Sequence, residues 1–265
     1  MCLVGFAYKV WPGYPIVIAS NRDEFFNRAT EKASFWEDHP AILAGRDLQS
    51  FGTWLGVTKQ GRVAFVTNNR NLRIPSISDP LSRGKLVSEF LISDLSSESY
   101  SKEIEANADK YEGFNLFVYD GGSLPVYISN RGGRRSVIEQ GFHTLSNALW
   151  NTNWPKTEKL RSKMVPLYED NFAARRNEGF PWEKIFEILN DRSMADSEGL
   201  PDTGIGKEKE KALSSIRITA PGYGTRASTI VAISEKGEVF FWEKTYKEPD
   251  AEEGEIVSYR FQIGE

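Results

Sequence analysis

Short apolar runs separated by glycine and proline turns recur along this chain, and they predict β-strands. Residues 2–10 and 14–20 are apolar almost throughout, and a Trp-Pro-Gly turn at residues 11–13 separates them, as in a hairpin. Because both faces of these runs are apolar, we expect both strands to be covered on both sides. Four polar residues, 21–24, follow the second run directly. The hairpin therefore predicts that they lie close to Cys2, where the first strand begins.

The rest of the chain shows the same strand pattern, interrupted by two pairs of segments with helical spacing of apolar residues. Predicted strands are residues 52–58, 62–69, 114–119, 125–129, 142–147, 215–220, 226–234, 238–246 and 256–262; predicted helices are residues 82–95, 97–111, 155–174 and 181–189. Residues 25–50 and 192–212 show no periodicity and are predicted to be loops, the second exposed and mobile. This order predicts an α+β fold with two antiparallel sheets packed on each other and helix pairs outside.

Composition narrows the class of protein. The 265 residues are 40% hydrophobic and 26% charged, which is typical of a globular protein, and no repeat or boundary divides them, so we predict one domain over residues 1–265. The net charge of −4 offers no basic face for nucleic acid. The first apolar run ends at Lys9, too short for a signal or a membrane span. We therefore expect a cytoplasmic protein with a small-molecule substrate or ligand, and the sequence carries no signal for its oligomeric state.

Metal-ligating residues are scarce. Cys2 is the only cysteine, which excludes an intramolecular disulfide and fits a reducing compartment. His39 and His143 are the only histidines, and they do not form the spacing of an ordinary zinc site with Cys2. We predict no metal and no required cofactor.

Cys2 is the candidate nucleophile because it follows Met1 directly. Methionine is normally removed before a small residue, and the mature chain would then carry a thiol and a free α-amine on one residue. Their pKa values are about 8.5 and about 7.7–8.0, so the amine can accept the thiol proton at neutral pH. This is the N-terminal form of nucleophilic catalysis. The alternative is a small buried hydrophobic residue in an early strand.

Four further polar residues lie at predicted strand ends: Asp23, Asn68, Asn147 and Arg226. Asp23 could hold the α-amine by a hydrogen bond, and Asn68 could donate its amide to a developing oxyanion. Asn147 could orient the amine or the substrate carbonyl, and Arg226 could stabilise a thiolate. Each residue also has an ordinary structural interpretation, as a turn residue or a surface charge.

Four stretches together resemble the NRDE family, also called transport and Golgi organisation protein 2. They are Met1-Cys2-Leu3-Val4, Asn21-Arg22-Asp23-Glu24, Gly52-Thr53-Trp54-Leu55-Gly56 and Tyr223-Gly224-Thr225-Arg226-Ala227-Ser228-Thr229. The resemblance covers essentially the whole chain. That family is in turn similar to N-terminal nucleophile hydrolases of the choloylglycine hydrolase and penicillin V acylase type, which cleave amide bonds. The resemblance implies a four-layer αββα sandwich.

The resemblance also implies roles for individual residues. Cys2 matches the nucleophile, Asp23 the aspartate beside it, Asn68 the oxyanion asparagine, Asn147 a later asparagine and Arg226 the arginine near the nucleophile. Substrate contacts are expected from Asn21, Arg22 and Trp54 in these stretches and from Asn69, which follows Asn68. One position departs from the acylases: they have an arginine three residues before the aspartate, where this chain has Ser20. Arg22 is the nearest substitute, although on a strand its side chain would point away from that of Asp23.

Three functions therefore stay open at the level of sequence. The first is a cysteine amidohydrolase acting on a small amide-bearing metabolite. The second is a non-catalytic protein that binds and transports haem or an acyl-CoA or lipid ligand. The family resemblance implies this function, and the aromatics Phe35, Trp36 and Trp54, which are predicted to lie in exposed loops, also suggest it. His39, His143 or Cys2 would then have to serve as the axial ligand of haem. The third is a structural adaptor, which no repeat supports.

Overall fold

The computed structural model describes residues 2–132, 135–174 and 180–265. Along these residues the strands are β1 (Cys2–Trp11), β2 (Tyr14–Phe25), β3 (Thr30–Phe35), β4 (Ile42–Asp47), β5 (Leu55–Thr58), β6 (Val63–Asn68), β7 (Phe114–Tyr119), β8 (Val126–Ser129), β9 (Ser136–Val137), β10 (Gly141–Leu145), β11 (Thr219–Ala220), β12 (Tyr223–Ile233), β13 (Glu238–Thr245) and β14 (Glu255–Gln262). The helices are α1 (Arg83–Ile92), α2 (Ser97–Ala106), α3 (Pro155–Ala174), α4 (Trp182–Leu189) and α5 (Lys207–Ala212). A 3-10 turn spans Ala108–Lys110.

The chain forms two compact units. The first comprises Met1–Asn27, Gln140–Ser146 and Asn151–Arg260, and the second comprises Arg28–Glu139, Asn147–Trp150 and Phe261–Glu265. Each unit contains one sheet and one pair of longer helices, so each has its own core.

The sheet of the first unit has the order β10-β1-β2-β12-β13-β14, with β11 added beside β12. Two of its interior strands, β1 and β2, are joined as a hairpin whose turn has Gly13 at φ 76°, a left-handed conformation that favours glycine. Both strands of the hairpin have antiparallel partners on their other sides, β10 and β12. Cys2 itself is paired only with β2, because the pairing of β1 with β10 begins at Val4.

Helices α3 and α4 cover one face of this sheet. Their buried residues pack against alternate residues of the central strands, which places odd-numbered positions of β1 and β2 on the helix side. The core consists of Leu3, Ala7, Val17, Ala19 and Ile230 from the sheet and Leu160, Met164, Ile185, Phe186 and Leu189 from the helices. Burial of each large apolar side chain contributes about 1.5–3 kcal/mol.

The second unit contains a seven-stranded meander in the order β3-β4-β5-β6-β7-β8-β9. Neighbouring strands along the chain pair antiparallel throughout. Helices α1 and α2 pack on one face, where Leu86 and Phe90 meet Ala64 and Leu116. The guanidinium of Arg62 lies 4.2 Å from the Phe90 ring and donates to the carbonyl oxygens of Phe90 and Leu95. It thereby satisfies carbonyls at the end of α1 that have no partner within the helix.

The predicted α+β class with two antiparallel sheets and a helix pair for each is confirmed. Three local predictions were wrong. Residues 25–50 contain β3 and β4, whose hydrogen bonds come mainly from pairing with each other and with β5. Residues 192–212 contain α5, where the buried Glu210 accepts hydrogen bonds from the backbone N–H and hydroxyl of Thr203. Of the predicted strand 215–220, only β11 forms.

Candidate active site

Cys2 is the first residue of β1 and is only 7% exposed. Its cross-strand partner is Arg22, so the two side chains share one face of the sheet. Burial raises the pKa of the Cys2 thiol, and the negative charge of Asp23 raises it further. The N-terminal ammonium lowers it most, and the positive charge of Arg22 lowers it as well. The Ser146 hydroxyl donates to the Cys2 carbonyl oxygen at 3.3 Å, and this hydrogen bond fixes Cys2 in addition to its pairing with β2. Arg22 is therefore the cation placed to stabilise a thiolate at this position.

Arg22 lies on the same face of β2 as Ser20, the position at which the sequence departs from the acylases. Ser20 and Arg22 are two residues apart on β2, and both lie on the face that carries Cys2. The sequence analysis placed the tetrapeptide from Asn21 to Glu24 after the strand. In the structure these residues continue β2 as far as Phe25, because β1 and β12 pair along its two sides. The strand therefore separates neighbouring residues of the motif onto opposite faces.

Asp23 lies on the opposite face of β2 from Arg22 and is 1% exposed. Its cross-strand partner is Thr225, whose hydroxyl donates to the carboxylate at 2.7 Å. The Tyr223 hydroxyl donates to the Asp23 carbonyl at 3.1 Å. Burial raises the pKa of Asp23, while the charge of Lys156 and the hydrogen bond from Thr225 lower it. The Asp23 carboxylate is therefore fixed by a hydrogen bond, and Asp23 directly follows Arg22, the residue paired with Cys2.

Lys156 is a residue that the sequence analysis missed. It lies in the first turn of α3 and is 2% exposed. Lysine is almost never fully buried unless it is paired. The sequence does not distinguish Lys156 from the other lysines of α3, such as Lys159 and Lys163, except that Lys156 directly follows Pro155, where the helix begins.

Asn21 has the contacts of a structural residue. Its side chain is fully buried, and its amide nitrogen donates to the carbonyl oxygens of Leu189 and Ile216, each at 2.9 Å. Its amide oxygen accepts from the Ser228 hydroxyl at 2.6 Å. Asn21 therefore ties the end of α4 and the segment before β11 to the central strands. Its predicted contact with substrate stays a prediction.

Arg226 lies at an irregularity of β12, where the pairing with β2 shifts between Thr225 and Ala227. Its guanidinium donates to the carbonyl oxygen of Phe25 at 2.9 Å and lies 5.2 Å from the Phe26 ring. These contacts place it at the far end of β2. The role of Arg226 as a thiolate partner stays a prediction, and Arg22 has the closer position in the strand register.

The predicted asparagines belong to the second unit. Asn147 is fully buried; its side chain donates to the carbonyl oxygen of Asn68 at 3.0 Å, and its carbonyl accepts from the backbone N–H of Arg70. Asn69 approaches Asn115 with an amide-to-amide distance of 3.5 Å. The structure thus brings Asn68, Asn69 and Asn147 together at the end of β6. Their oxyanion and substrate roles stay predictions.

The predicted loop aromatics are not exposed. Trp36 and Trp54 are both buried, so the expectation of exposed aromatic side chains was wrong for them. The Trp36 indole donates to the Ala44 carbonyl at 3.0 Å, and the Trp54 ring lies over the backbone of Gly45. Phe35 is half-buried and stacks edge-on with Phe261. These contacts are those of core packing.

Two further observations concern the described residues as a set. Within residues 2–132, 135–174 and 180–265, no three side chains of His, Cys, Asp or Glu are grouped so that they could hold a metal ion. In the same part of the chain, no helix has both the length and the apolar character needed to cross a membrane.

Two solved structures are similar to this chain at low identity. A mutant conjugated bile acid hydrolase from Clostridium perfringens is 12% identical, with 99% of this chain and 98% of that chain covered and a TM-score of 0.48. The Caenorhabditis elegans ortholog of N-acylethanolamine-hydrolyzing acid amidase is 13% identical, with coverage of 87% and 92% and a TM-score of 0.48. At these values neither likeness says anything about the chemistry of this chain.

Relatives at higher identity cover the whole chain. The bovine transport and Golgi organization protein 2 homolog is 33% identical, and the human one is 32% identical, each with 99% of this chain and 99% of the relative covered. The Drosophila melanogaster protein is 31% identical over 46% of this chain. The family model described as Transport and Golgi organisation 2 matches residues 1–248. The chain therefore belongs to the Transport and Golgi organisation 2 family.

Proposed function

We propose that, once Met1 is removed, Cys2 is the nucleophile of a hydrolase that acts on an amide bond of a small metabolite. The observation that carries this proposal is the position of Cys2, which begins a buried, doubly paired strand directly opposite Arg22 and next to Asp23. A buried cysteine that served only as packing would gain nothing from a buried cation and a buried carboxylate beside it, because each charge costs free energy to bury.

Every proton transfer in the proposed reaction involves Cys2, the substrate or water. The α-amine of Cys2 accepts the thiol proton, and the thiolate attacks the amide carbon to form an S–C bond. The C–N bond then breaks, and the ammonium returns the proton to the leaving amine. Water hydrolyses the thioester, which releases the acid and restores the thiol.

Arg22 and Asp23 have complementary roles in this scheme. Burial raises the pKa of the Cys2 thiol, which opposes thiolate formation, and the cation of Arg22 offsets this effect. Asp23 is held by Thr225 and is available to stabilise the ammonium that forms when the amine accepts the proton. The two charges lie on opposite faces of β2 and therefore act on different groups of Cys2.

The proposal is tested by the mass and the thiol reactivity of the purified chain. We expect loss of Met1 and rapid labelling by iodoacetamide at neutral pH, and Cys2→Ala should abolish both the labelling and hydrolysis in an amide substrate screen. Arg22→Met should slow labelling by about tenfold or more, because one pKa unit changes the thiolate fraction tenfold. Arg260→Met is the matched control, because Arg260 is fully exposed and pairs with Glu238.

Retention of Met1 would refute the proposal, because Cys2 would then have no α-amine. Hydrolysis that survives Cys2→Ala would refute it equally. An inert Cys2 thiol in a chain that has lost Met1 would show that the residue is part of the packing.

Ligand carriage is the second candidate, and it depends on a cavity whose lining charges argue against it. This cavity of about 410 Å³ lies in the second unit and is lined by His39, Arg62 and Leu91 among others. Asp38, Asp94 and Asp120 also line it, and their charges disfavour the carboxylates of haem and the phosphates of acyl-CoA. The site therefore fits neither ligand well. A saturable Soret change with haemin that is lost in His39→Ala would reverse this conclusion.

A further inference from the structure

Two ionisable side chains of opposite charge are buried on the helix side of the first sheet. Asp23 is 1% exposed and Lys156 is 2% exposed. Burial of a single charge is costly, and a buried lysine is retained only where an opposite charge or several acceptors offset that cost. Burial raises the pKa of Asp23, and the charge of Lys156 lowers it. Each charge is therefore a candidate to offset the cost of burying the other.

The backbone shows why they meet. Val17 and Ala19 belong to the core beneath the helices, and Asp23 has the same odd-numbered position on β2, so it points to the same side. On α3, Lys156 lies four residues before Leu160, so the two share a helix face. That face packs tightly on β1, because a Cβ atom added to Gly5 would lie 3.2 Å from Leu160. Lys156 is therefore directed from the helix toward the strands that carry Cys2 and Asp23.

We propose that Lys156 is a positioning residue of the Cys2 site: its ammonium keeps the Asp23 carboxylate ionised and in place, so that this carboxylate holds the α-amine that removal of Met1 creates on Cys2. The inference rests on the proposed function, and it adds a second cation to the site. Arg22 acts on the thiol from one face of the sheet, and Lys156 acts on the amine, through Asp23, from the other.

The proposal predicts opposite effects on the two reactive groups of Cys2. In Lys156→Met the buried carboxyl of Asp23 takes up a proton and releases the amine. The amine then loses its bound proton more readily, so its acetylation at neutral pH should be faster. The thiol loses the ammonium on its own residue, so its alkylation should be slower. Each change should be about tenfold or more, because an opposite charge at short range shifts a pKa by about 1–3 units.

The experiment measures both rates on the mature chain between pH 5 and 9, with iodoacetamide for the thiol and acetic anhydride for the α-amine, read by mass spectrometry of the N-terminal peptide. Lys156→Arg should restore rates close to those of the native chain. Lys159→Met is the matched control on the same helix, because the Lys159 ammonium donates to Ser193 and not to Asp23. Asp23→Asn should reproduce both changes, and adding Lys156→Met to it should change neither rate further.

The possible outcomes separate the two proposals. Faster acetylation with slower alkylation supports the positioning role, whereas acceleration of both reactions indicates a loosened structure and overturns it. Unchanged rates in Lys156→Met overturn this inference alone and leave Cys2 as the proposed nucleophile. Retention of Met1 overturns the proposed function and this role with it, because Asp23 would then have no α-amine to hold.

Discussion

Replacing Asn21 with alanine should destabilise the protein severely, although the motif in which it lies suggests a contact with substrate. Its side chain is fully buried and makes three hydrogen bonds, to the carbonyl oxygens of Leu189 and Ile216 and from the hydroxyl of Ser228. These partners come from the end of α4, the segment before β11 and the middle of β12. One amide therefore joins three parts of the first unit that lie far apart in sequence.

The expected magnitude follows from the number of bonds. A buried hydrogen bond contributes about 0.5–1.5 kcal/mol net, and a buried group left without its partner costs about 1–3 kcal/mol. The loss of three bonds, with two carbonyl oxygens and one hydroxyl left behind, should lower the free energy of unfolding by about 3–5 kcal/mol. That is a large fraction of the 5–15 kcal/mol that is typical of a globular protein.

The assay is equilibrium unfolding in urea, followed by the fluorescence of the seven tryptophans. Asn107→Ala is the matched control, because the Asn107 side chain makes exposed hydrogen bonds to Glu103 and Lys110. We expect the control to lose less than about 1 kcal/mol. If Asn21→Ala unfolds like the native chain but loses activity, the structural interpretation is refuted, and Asn21 contacts substrate as the motif suggested.

Two further predictions concern packing and pH. Gly45→Ala should lower the free energy of unfolding by about 1–3 kcal/mol, because the new Cβ would lie 2.3 Å from the Trp54 ring. Gly122→Ala is the control, because its Cβ would meet only one atom, at 3.9 Å. A smaller loss in Gly45→Ala than in this control would contradict the packing role of Trp54. Burial raises the pKa of Asp23 in the folded state, so the native chain loses stability as the pH rises through that pKa, whereas Asp23→Asn does not titrate. Unfolding measured from pH 3 upward should therefore shift in favour of Asp23→Asn between the unfolded pKa of about 3.9 and the higher folded pKa, and then level off. A difference that is constant over the whole range would refute the assignment.

The elements with strong local patterns were predictable. The hairpin of β1 and β2 is marked by two apolar runs around a Trp-Pro-Gly turn, and α3 begins at Pro155, where its spacing predicted a helix. The strands β6 and β7 likewise form close to their predicted bounds. In each case the periodicity of apolar residues reflects a face that must be covered, and this requirement is visible in the sequence itself.

The elements with weak local patterns were not predictable. β3 and β4 lie in a segment without clear alternation, and pairing with neighbouring strands supplies the hydrogen bonds that keep them extended. α5 has the sequence Lys-Glu-Lys-Glu-Lys-Ala, which indicates a solvated segment, yet Glu210 is buried by its hydrogen bonds to Thr203. Tertiary contacts override local propensity at these places.

The sequence by itself determined the α+β class, the family and the candidate nucleophile, because all three depend on local pattern or motif. Only the tertiary structure decided how the motif residues are used. The strand register places Arg22 beside Cys2 and turns Asn21 and Asp23 to the helix side, and the packing of α3 buries Lys156 on that side. These relations depend on which strands pair and which helix covers them. A buried charge such as that of Lys156 can be identified only from the tertiary structure, because the elements that exclude water from it come together only there.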